Sequence, residues 1–280
     1  MGCSDSDYAY LRQVVLSESA NRIDASRDTS FETRLAPMAR LAGASTLEDF
    51  VSLLRVDRTP QLHRAVAEAM TVNETSFFRD GGPFEALRET ILPRLIKQNA
   101  STRRLRIWSA ASSTGQEAYS MAMLLCEQFP ELAGWDVKIV GTDISRQVVE
   151  YAQLGRYRRL EVNRGLPARM LVKYFVRDCD EWEVAARLRA MCEFHCVNLC
   201  IPLPKLPVFD LVLLRNVLLY FSPQDRGCVF GGVYLRMAPG GYLLLGAAEQ
   251  AEDSTELFKA EFARGCYFYR PVAGRNQKTH

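Results

Sequence analysis

The run Ser109-Ala110-Ala111-Ser112-Ser113-Thr114-Gly115 contains only small residues, and Asp143 follows about 30 positions later. Small side chains let backbone approach a ligand closely. The helix that opens at Gly115 and Gln116 adds free N–H donors in its first turn. An acidic residue closing the next strand can accept both hydroxyls of a ribose. Loop and acid together suit a nucleoside. The loop is not G-x-G-x-x-G, so a dinucleotide fingerprint fails, and the missing glycine series favours a ligand without phosphate. Each signal also has a plainer explanation. The loop could reflect tight packing alone, and Asp143 could be an ordinary residue ahead of a helix cap at Ser145.

A second pattern invites a metal, Cys192-x3-Cys196-x3-Cys200 with His195 inside it. It lacks the C-x2-C spacing of zinc sites. On a strand, Cys192 and Cys196 would face one way but lie about 13 Å apart, at ~3.3 Å per residue. Zn–S bonds of about 2.3 Å cannot span that gap. No metal is expected, and the cysteines read as small buried residues.

The elements that must hold these residues follow from periodicity. Residues 5 to about 98 read as helical. Tyr8, Leu11, Val14 and Val15 recur at helical spacing, as do Phe50, Val51 and Leu54 behind a Thr46 cap. Pro83 suits a helix start. Beyond 103 the texture changes. Strands are expected at 105–108, 137–140, 209–214, 242–246 and 266–269, with helices after Gly115, Ser145 and Pro223. Strands alternating with helices imply an α/β fold with a largely parallel, doubly wound sheet. The boundary between the helical domain, 1–98, and the sheet domain, 99–280, is placed near 98–104. Residues 171–197 read as short strands forming a small antiparallel insertion.

Composition excludes several classes. Of 280 residues, 48% are apolar, enough for a sizeable core. A net charge of +2 argues against a nucleic-acid binder. There is no signal-peptide pattern and no run of ~18 apolar residues. The eight scattered cysteines then suggest a reduced, cytoplasmic protein with no membrane insertion. Met1-Gly2-Cys3-Ser4-Asp5-Ser6 fits a loose myristoylation pattern, but a short disordered start explains it as well. The Asn73-Glu74-Thr75 sequon is not expected to meet glycosylation machinery.

Taken with their neighbours, these segments resemble the CheR family of chemotaxis protein-glutamate O-methyltransferases. The resemblance runs in family order. It begins with Asn73-Glu74-Thr75-Ser76-Phe77-Phe78-Arg79-Asp80, then Trp108 to Ser120, then Gly141-Thr142-Asp143-Ile144. It continues through Gly155-Arg156-Tyr157, Val197-Asn198-Leu199, Phe209 to Phe221, and Gly240 to Glu249. The fold implied is a helical N-terminal domain plus a Rossmann-like class I methyltransferase domain. The implied donor is S-adenosylmethionine, with S-adenosylhomocysteine as product. The implied acceptors are glutamates on the cytoplasmic helices of chemoreceptors. Asn73, Thr75 and Arg79 match the first cofactor motif. Glu117 matches the acid at the helix start, and Asp143 the ribose acid. Asn198 and Leu199 match the adenine-side pair, and Arg215 and Asn216 the pair after the later strand. Arg79 and Tyr220 match the positions that face the transferred methyl and incoming carboxylate.

Elementary chemistry agrees with that implication. A glutamate side chain, with a reference pKa of about 4.3, is already ionised at neutral pH. It needs alignment and desolvation, not a base. Arg79 could hold one carboxylate oxygen by a charge-assisted hydrogen bond, and the Tyr220 hydroxyl could help position it. Local salt bridging for Arg79 and a core place for Tyr220 are the plainer alternatives. Phe77 and Phe78 read as buried. Two rival functions stand beside this one. An NAD-dependent or nucleotide-sugar enzyme on a similar sheet is disfavoured by the missing phosphate loop. A non-catalytic S-adenosylmethionine sensor is disfavoured by the retained Arg79 and Tyr220.

Two stretches depart from the family. Its arginine-dense N-terminal helix corresponds here to 31–41, where only Arg34 and Arg40 remain and Pro37 is expected to kink or break the helix. Residues 1–79 hold nine Arg against eleven Asp plus Glu. In the insertion, Arg177-Asp178-Cys179-Asp180-Glu181-Trp182 is short and free of glycine. No binding of a receptor's C-terminal pentapeptide tether is expected.

Overall fold

Four amphipathic segments form helices in the N-terminal part of the computed structural model, which describes residues 3–56, 59–251 and 254–272. They are α1 (Asp5–Ser19), α2 (Thr29–Leu41), α3 (Leu47–Val56) and α4 (Pro60–Ala69). Leu11, Val15, Phe31, Leu35, Phe50 and Val66 form their shared core. Thr46 caps α3 as expected. Its Oγ accepts from Asp49 N at 3.1 Å while the Asp49 carboxylate accepts from Thr46 N at 3.0 Å. Pro37 does not break α2, which runs on to Leu41. A proline removes one intrahelical bond, and burial of Phe31, Leu35 and Ala39 offsets that loss. Arg34 is used within this unit, donating to the carbonyls of Ala69 (3.4 Å) and Thr71 (2.7 Å). Met1-Gly2 of the myristoylation pattern, and the tail from Gly274, lie outside the described residues.

The chain divides into two compact units. One holds residues up to Val72 together with Tyr220–Asp225, and the other begins at Asn73. The division therefore falls ahead of the expected 98–104. The reason is packing. Helices α5 (Gly82–Ala86) and α6 (Leu92–Gln98), joined by a wide π-type turn, bury Phe84, Leu87, Ile91 and Leu95 in the same core as Leu105, Ile107 and Leu211. Helical texture does not say which core a helix joins.

The second unit continues with β1 (Arg104–Ala110), α7 (Gln116–Gln128), β2 (Asp136–Asp143), α8 (Arg146–Leu154), β3 (Arg156–Arg158), α9 (Arg159–Val162), α10 (Ala168–Tyr174), β4 (Phe175–Asp178) and β5 (Glu181–Val184). Then follow α11 (Ala186–Arg189), β6 (Cys192–Cys196), β7 (Phe209–Leu214), α12 (Pro223–Tyr234), β8 (Met237–Leu245), β9 (Phe258–Ala263) and β10 (Cys266–Pro271). The main sheet has the order β6-β2-β1-β7-β8-β10-β9. The first five strands are parallel, and β10 runs antiparallel to both neighbours. β1 has β2 on one side and β7 on the other, so the strand order reverses there. A crevice forms at such a switch point, beyond the carboxyl ends.

Two strand assignments change. The insertion is smaller than 171–197, because only β4 and β5, with β3, form the antiparallel sheet. β6 instead pairs parallel with β2, Ile139 opposite Cys192 through Asp143 opposite Cys196. Its one deeply buried residue, Phe194, packs against Tyr119 of α7 at 5.5 Å between ring centroids. β9 was not anticipated, since Lys259, Ala260 and Glu261 carry no strand signal. It forms because β10 offers it a complete antiparallel ladder.

Phe194 also constrains β2. A Cβ on Gly141 would lie 2.4 Å from Phe194 Cδ1 and 2.9 Å from Ser112 Oγ. Gly141→Ala is expected to cost about 1–3 kcal/mol through overpacking. Thermal unfolding should therefore begin some degrees lower than in the unmodified chain, and an unchanged transition would contradict this packing.

Candidate functional site

The loop after β1 is built from left-handed backbone at Ala111 (φ 59°), Ser113 (φ 49°) and Gly115 (φ 92°). Non-glycine residues there cost about 1–3 kcal/mol each unless the surroundings fix them. Here they are fixed. Ser112 N donates to Thr142 O at 2.8 Å and Ser113 Oγ to Asn73 O at 2.9 Å. Buried Tyr157 donates its hydroxyl to Thr114 O at 2.7 Å. Desolvation pushes the Tyr157 pKa well up, which keeps the proton this bond needs. Gly115 is required twice over, because its φ is positive and a Cβ would lie 2.9 Å from Ala152 Cβ.

Asp143, 7% exposed at the end of β2, joins this loop to the next. Its carboxylate accepts from Ser113 N (2.8 Å) and Ser145 N (3.1 Å). Ser145 stands at the N-cap of α8, but its side chain makes no cap bond. The backbone of Asp143 accepts from Val197 N at 2.8 Å, which fixes where the chain leaves β6 toward Asn198 and Leu199. Asn198 Oδ1 accepts from Cys200 N at 2.9 Å.

At the end of β7, Arg215 is the hub of a buried network, its side chain only 3% exposed. One guanidinium nitrogen donates to Glu117 at 2.9 Å, and another to Asp80 at 2.8 Å and to Arg79 O at 2.9 Å. Glu117 also accepts from Ser109 Oγ at 2.8 Å. Sequence matching placed Glu117 and Arg215 at the cofactor, whereas these contacts tie β1, α7, β7 and the 73–80 segment to one another. Arg79 itself is half-buried and donates to Glu74 O at 2.9 Å. Thr75 is half-buried in the same segment. Phe77 is fully buried against Tyr157 and Phe175, as expected, at 5.1 and 5.6 Å between ring centroids.

Beyond β8, Glu249 holds the post-β7 turn. One oxygen accepts from Val217 N (2.8 Å) and Leu218 N (2.7 Å), the other from Asn216 N (2.7 Å) and Gly246 N (2.8 Å). Asn216, at φ 60°, depends on this clamp. Glu249 and Asp80 were not singled out from sequence. The only signal was that each closes a matched segment. Tyr220 ends a short 3-10 turn, Leu218–Tyr220, and its carbonyl accepts from Arg22 N at 3.1 Å. It belongs to the first unit and Arg79 to the second.

The donor set fits a nucleoside sulfonium. A fixed acid closes β2, the strained loop is made of small residues, and Ser112 Oγ is buried with no partner among the described residues. Among those residues no cluster of three or more His, Cys, Asp or Glu could hold a metal, and no helix is long and apolar enough to cross a membrane.

A family model described as "CheR methyltransferase, SAM binding domain" matches residues 73–266. The chain is 36% identical over 253 residues to Chemotaxis protein methyltransferase 1 of Pseudomonas aeruginosa, covering 89% of this chain and 92% of that one. It is 35% identical over 261 residues to Chemotaxis protein methyltransferase of Vibrio anguillarum, covering 91% and 93%. It is 37% identical over 221 residues to Chemotaxis protein methyltransferase Cher2 of Pseudomonas putida, covering 78% and 80%.

Proposed function

Because the chain belongs to the CheR methyltransferase family, with S-adenosylmethionine as cofactor and methylation in chemotaxis as its role, we propose that it esterifies glutamate side chains on the cytoplasmic helices of chemoreceptors. The bound cofactor supplies an electrophilic methyl on a sulfonium and leaves as the neutral thioether S-adenosylhomocysteine. A glutamate oxygen forms the new C–O bond as the C–S bond breaks, and its electrons pass to sulfur. No proton moves.

One observation carries this reading: among the described residues, the four carboxylates at the second unit's candidate site are all engaged. Asp143, Glu117, Asp80 and Glu249 each accept from backbone or guanidinium donors at 2.7–3.1 Å. Those bonds occupy each acid in holding a loop or helix end, so none of the four is left free as a base. An amine or alcohol acceptor would need such a base, and an ionised carboxylate does not. Arg79 is proposed to hold one oxygen of the acceptor, leaving the other to attack; a positioning role for the Tyr220 hydroxyl is proposed on the family resemblance alone. Asn73, Thr75, Asp143, Asn198, Leu199 and Asn216 are proposed for the cofactor, with Glu117 and Arg215 contributing from the network behind. No pentapeptide tether is proposed to bind, since the β4–β5 turn at Cys179-Asp180 is short and free of glycine.

The test is incubation with methyl-labelled S-adenosylmethionine and receptor-enriched membranes, followed by alkali. Methyl esters release volatile labelled methanol. Label that stays on protein would overturn the carboxylate assignment.

A further inference from the structure

Arg79 is presented by a strained stretch of backbone. Phe78 before it (φ 48°) and Asp80 after it (φ 68°) are both left-handed, and Gly81 follows at φ 56°. Phenylalanine in particular does not hold that conformation unaided, so the surroundings must impose it. The turn leaves the Arg79 fork open. One of its N–H groups goes to Glu74 O at 2.9 Å, and the guanidinium makes no other hydrogen bond among the described residues.

Two side chains from outside the segment impose the turn. Ser120, fully buried on α7, accepts from Phe78 N at 3.0 Å while its hydroxyl donates to Gln116 O at 2.6 Å. That fixes the peptide unit ahead of Arg79. Behind it, Nη2 of Arg215 donates to both Arg79 O and the Asp80 carboxylate, while Glu117 holds Nη1. The two carboxylates grip the Arg215 guanidinium from its two ends, and that grip aims Nη2 at Arg79 O. Without Asp80 the guanidinium can pivot about Glu117. The Arg79 carbonyl then loses its donor, and the left-handed turn loses one of its two supports.

We propose that Asp80 is a positioning residue for methyl transfer that acts through Arg79, an inference that rests on the glutamate-methylating reading above. Asp80 touches neither donor nor acceptor. It fixes the peptide unit that follows Arg79, and a guanidinium at the end of a long side chain amplifies any rotation there. A misplacement of about 1 Å is enough to cost ~100-fold in rate.

The experiment measures kcat/KM for receptor-enriched membranes, by methanol release, together with S-adenosylhomocysteine affinity. It compares the full chain with Asp80→Ala, Asp80→Asn, Arg79→Ala and Arg79→Ala/Asp80→Ala. Asp80→Ala is expected to lower kcat/KM roughly 10–100-fold. Asp80→Asn recovers part of that loss, because asparagine tolerates left-handed backbone and its amide oxygen still accepts from Arg215. S-adenosylhomocysteine affinity stays at the wild-type value in both. In the Arg79→Ala background Asp80→Ala costs nothing further, since the two act as one unit.

Losses that multiply in the double variant overturn the proposal, as does wild-type activity in Asp80→Ala. So does a fall in S-adenosylhomocysteine affinity that matches the fall in activity, because Asp80 would then act on the cofactor. If Arg79→Ala drops to background, that split between activity and affinity decides; if Asp80→Ala does not fold, Asp80→Asn decides by the same split. If wild-type protein gives no alkali-labile label, the glutamate reading fails and this role with it; normal labelling with unaffected Asp80 variants sinks this role alone.

Discussion

Glu249→Gln is expected to lower the melting temperature by roughly 5–15 °C and to weaken S-adenosylhomocysteine binding. The carboxylate accepts four backbone N–H groups, two on each oxygen, and is 7% exposed. An amide of the same shape has only one oxygen. Whichever way it sits, its NH2 faces two buried donors. A buried donor left unmet costs about 1–3 kcal/mol, so the pair costs about 2–4 kcal/mol after partial relaxation. For a unit of this size 1 kcal/mol moves the midpoint by ~2–4 °C. Binding suffers as well, because the turn released is the one that holds Asn216 in its left-handed conformation. Calorimetric unfolding with and without S-adenosylhomocysteine measures both effects. A midpoint within 2 °C or so of wild type would show that the clamp is dispensable.

Arg215→Met should be nearly as damaging, by a different route. Removing one partner of a buried pair strands the other charge and costs about 3–5 kcal/mol. Glu117 is the charge stranded, since its side chain is 14% exposed. Asp80, at 39%, can turn to water and contributes little. The Glu117→Leu/Arg215→Met double variant should therefore be more stable than the sum of the two single losses. Arg215→Lys should rescue poorly, because one ammonium cannot serve Glu117, Asp80 and the Arg79 carbonyl in a planar fork. Urea unfolding of the four chains gives the coupling. A coupling energy near zero would mean that Arg215 and Glu117 do not act as a pair.

Much of the sheet unit was legible because its signals are local. Leu105 to Trp108, Val137 to Val140 and Phe209 to Leu214 are apolar runs next to turn or cap residues, and each is a strand. The small-residue loop and Asp143 stood out for the same reason, and the structure joins them through Ser113 N. Tertiary competition was what stayed hidden. Phe84 to Leu95 are helical in either unit, and only packing decides that they join the sheet core. β6 is as apolar as a hairpin strand would be, and only the vacant edge of β2 makes it parallel. Glu249 looked like any acid after a strand, because nothing in the sequence shows that four amides converge on it. Pro37 does not end its helix, since a proline rule read alone ignores the burial on either side.

The parallel edge strand has one more consequence, for how such a protein can change over generations. Between Asp143, where β2 ends, and Cys192, where β6 begins, the chain makes one long crossover that carries the whole small sheet. Closing a flexible loop grows costlier only with the logarithm of its length, about 0.6 kcal/mol per doubling. The crossover's surface turns can therefore be lengthened or re-surfaced at little expense, whereas Tyr157 and Phe175, packed against Phe77, must stay. Asp143, the 111–115 loop and the Glu249 clamp sit outside it. Sequence can drift in those turns while the residues at the carboxyl edge of the sheet are inherited unchanged.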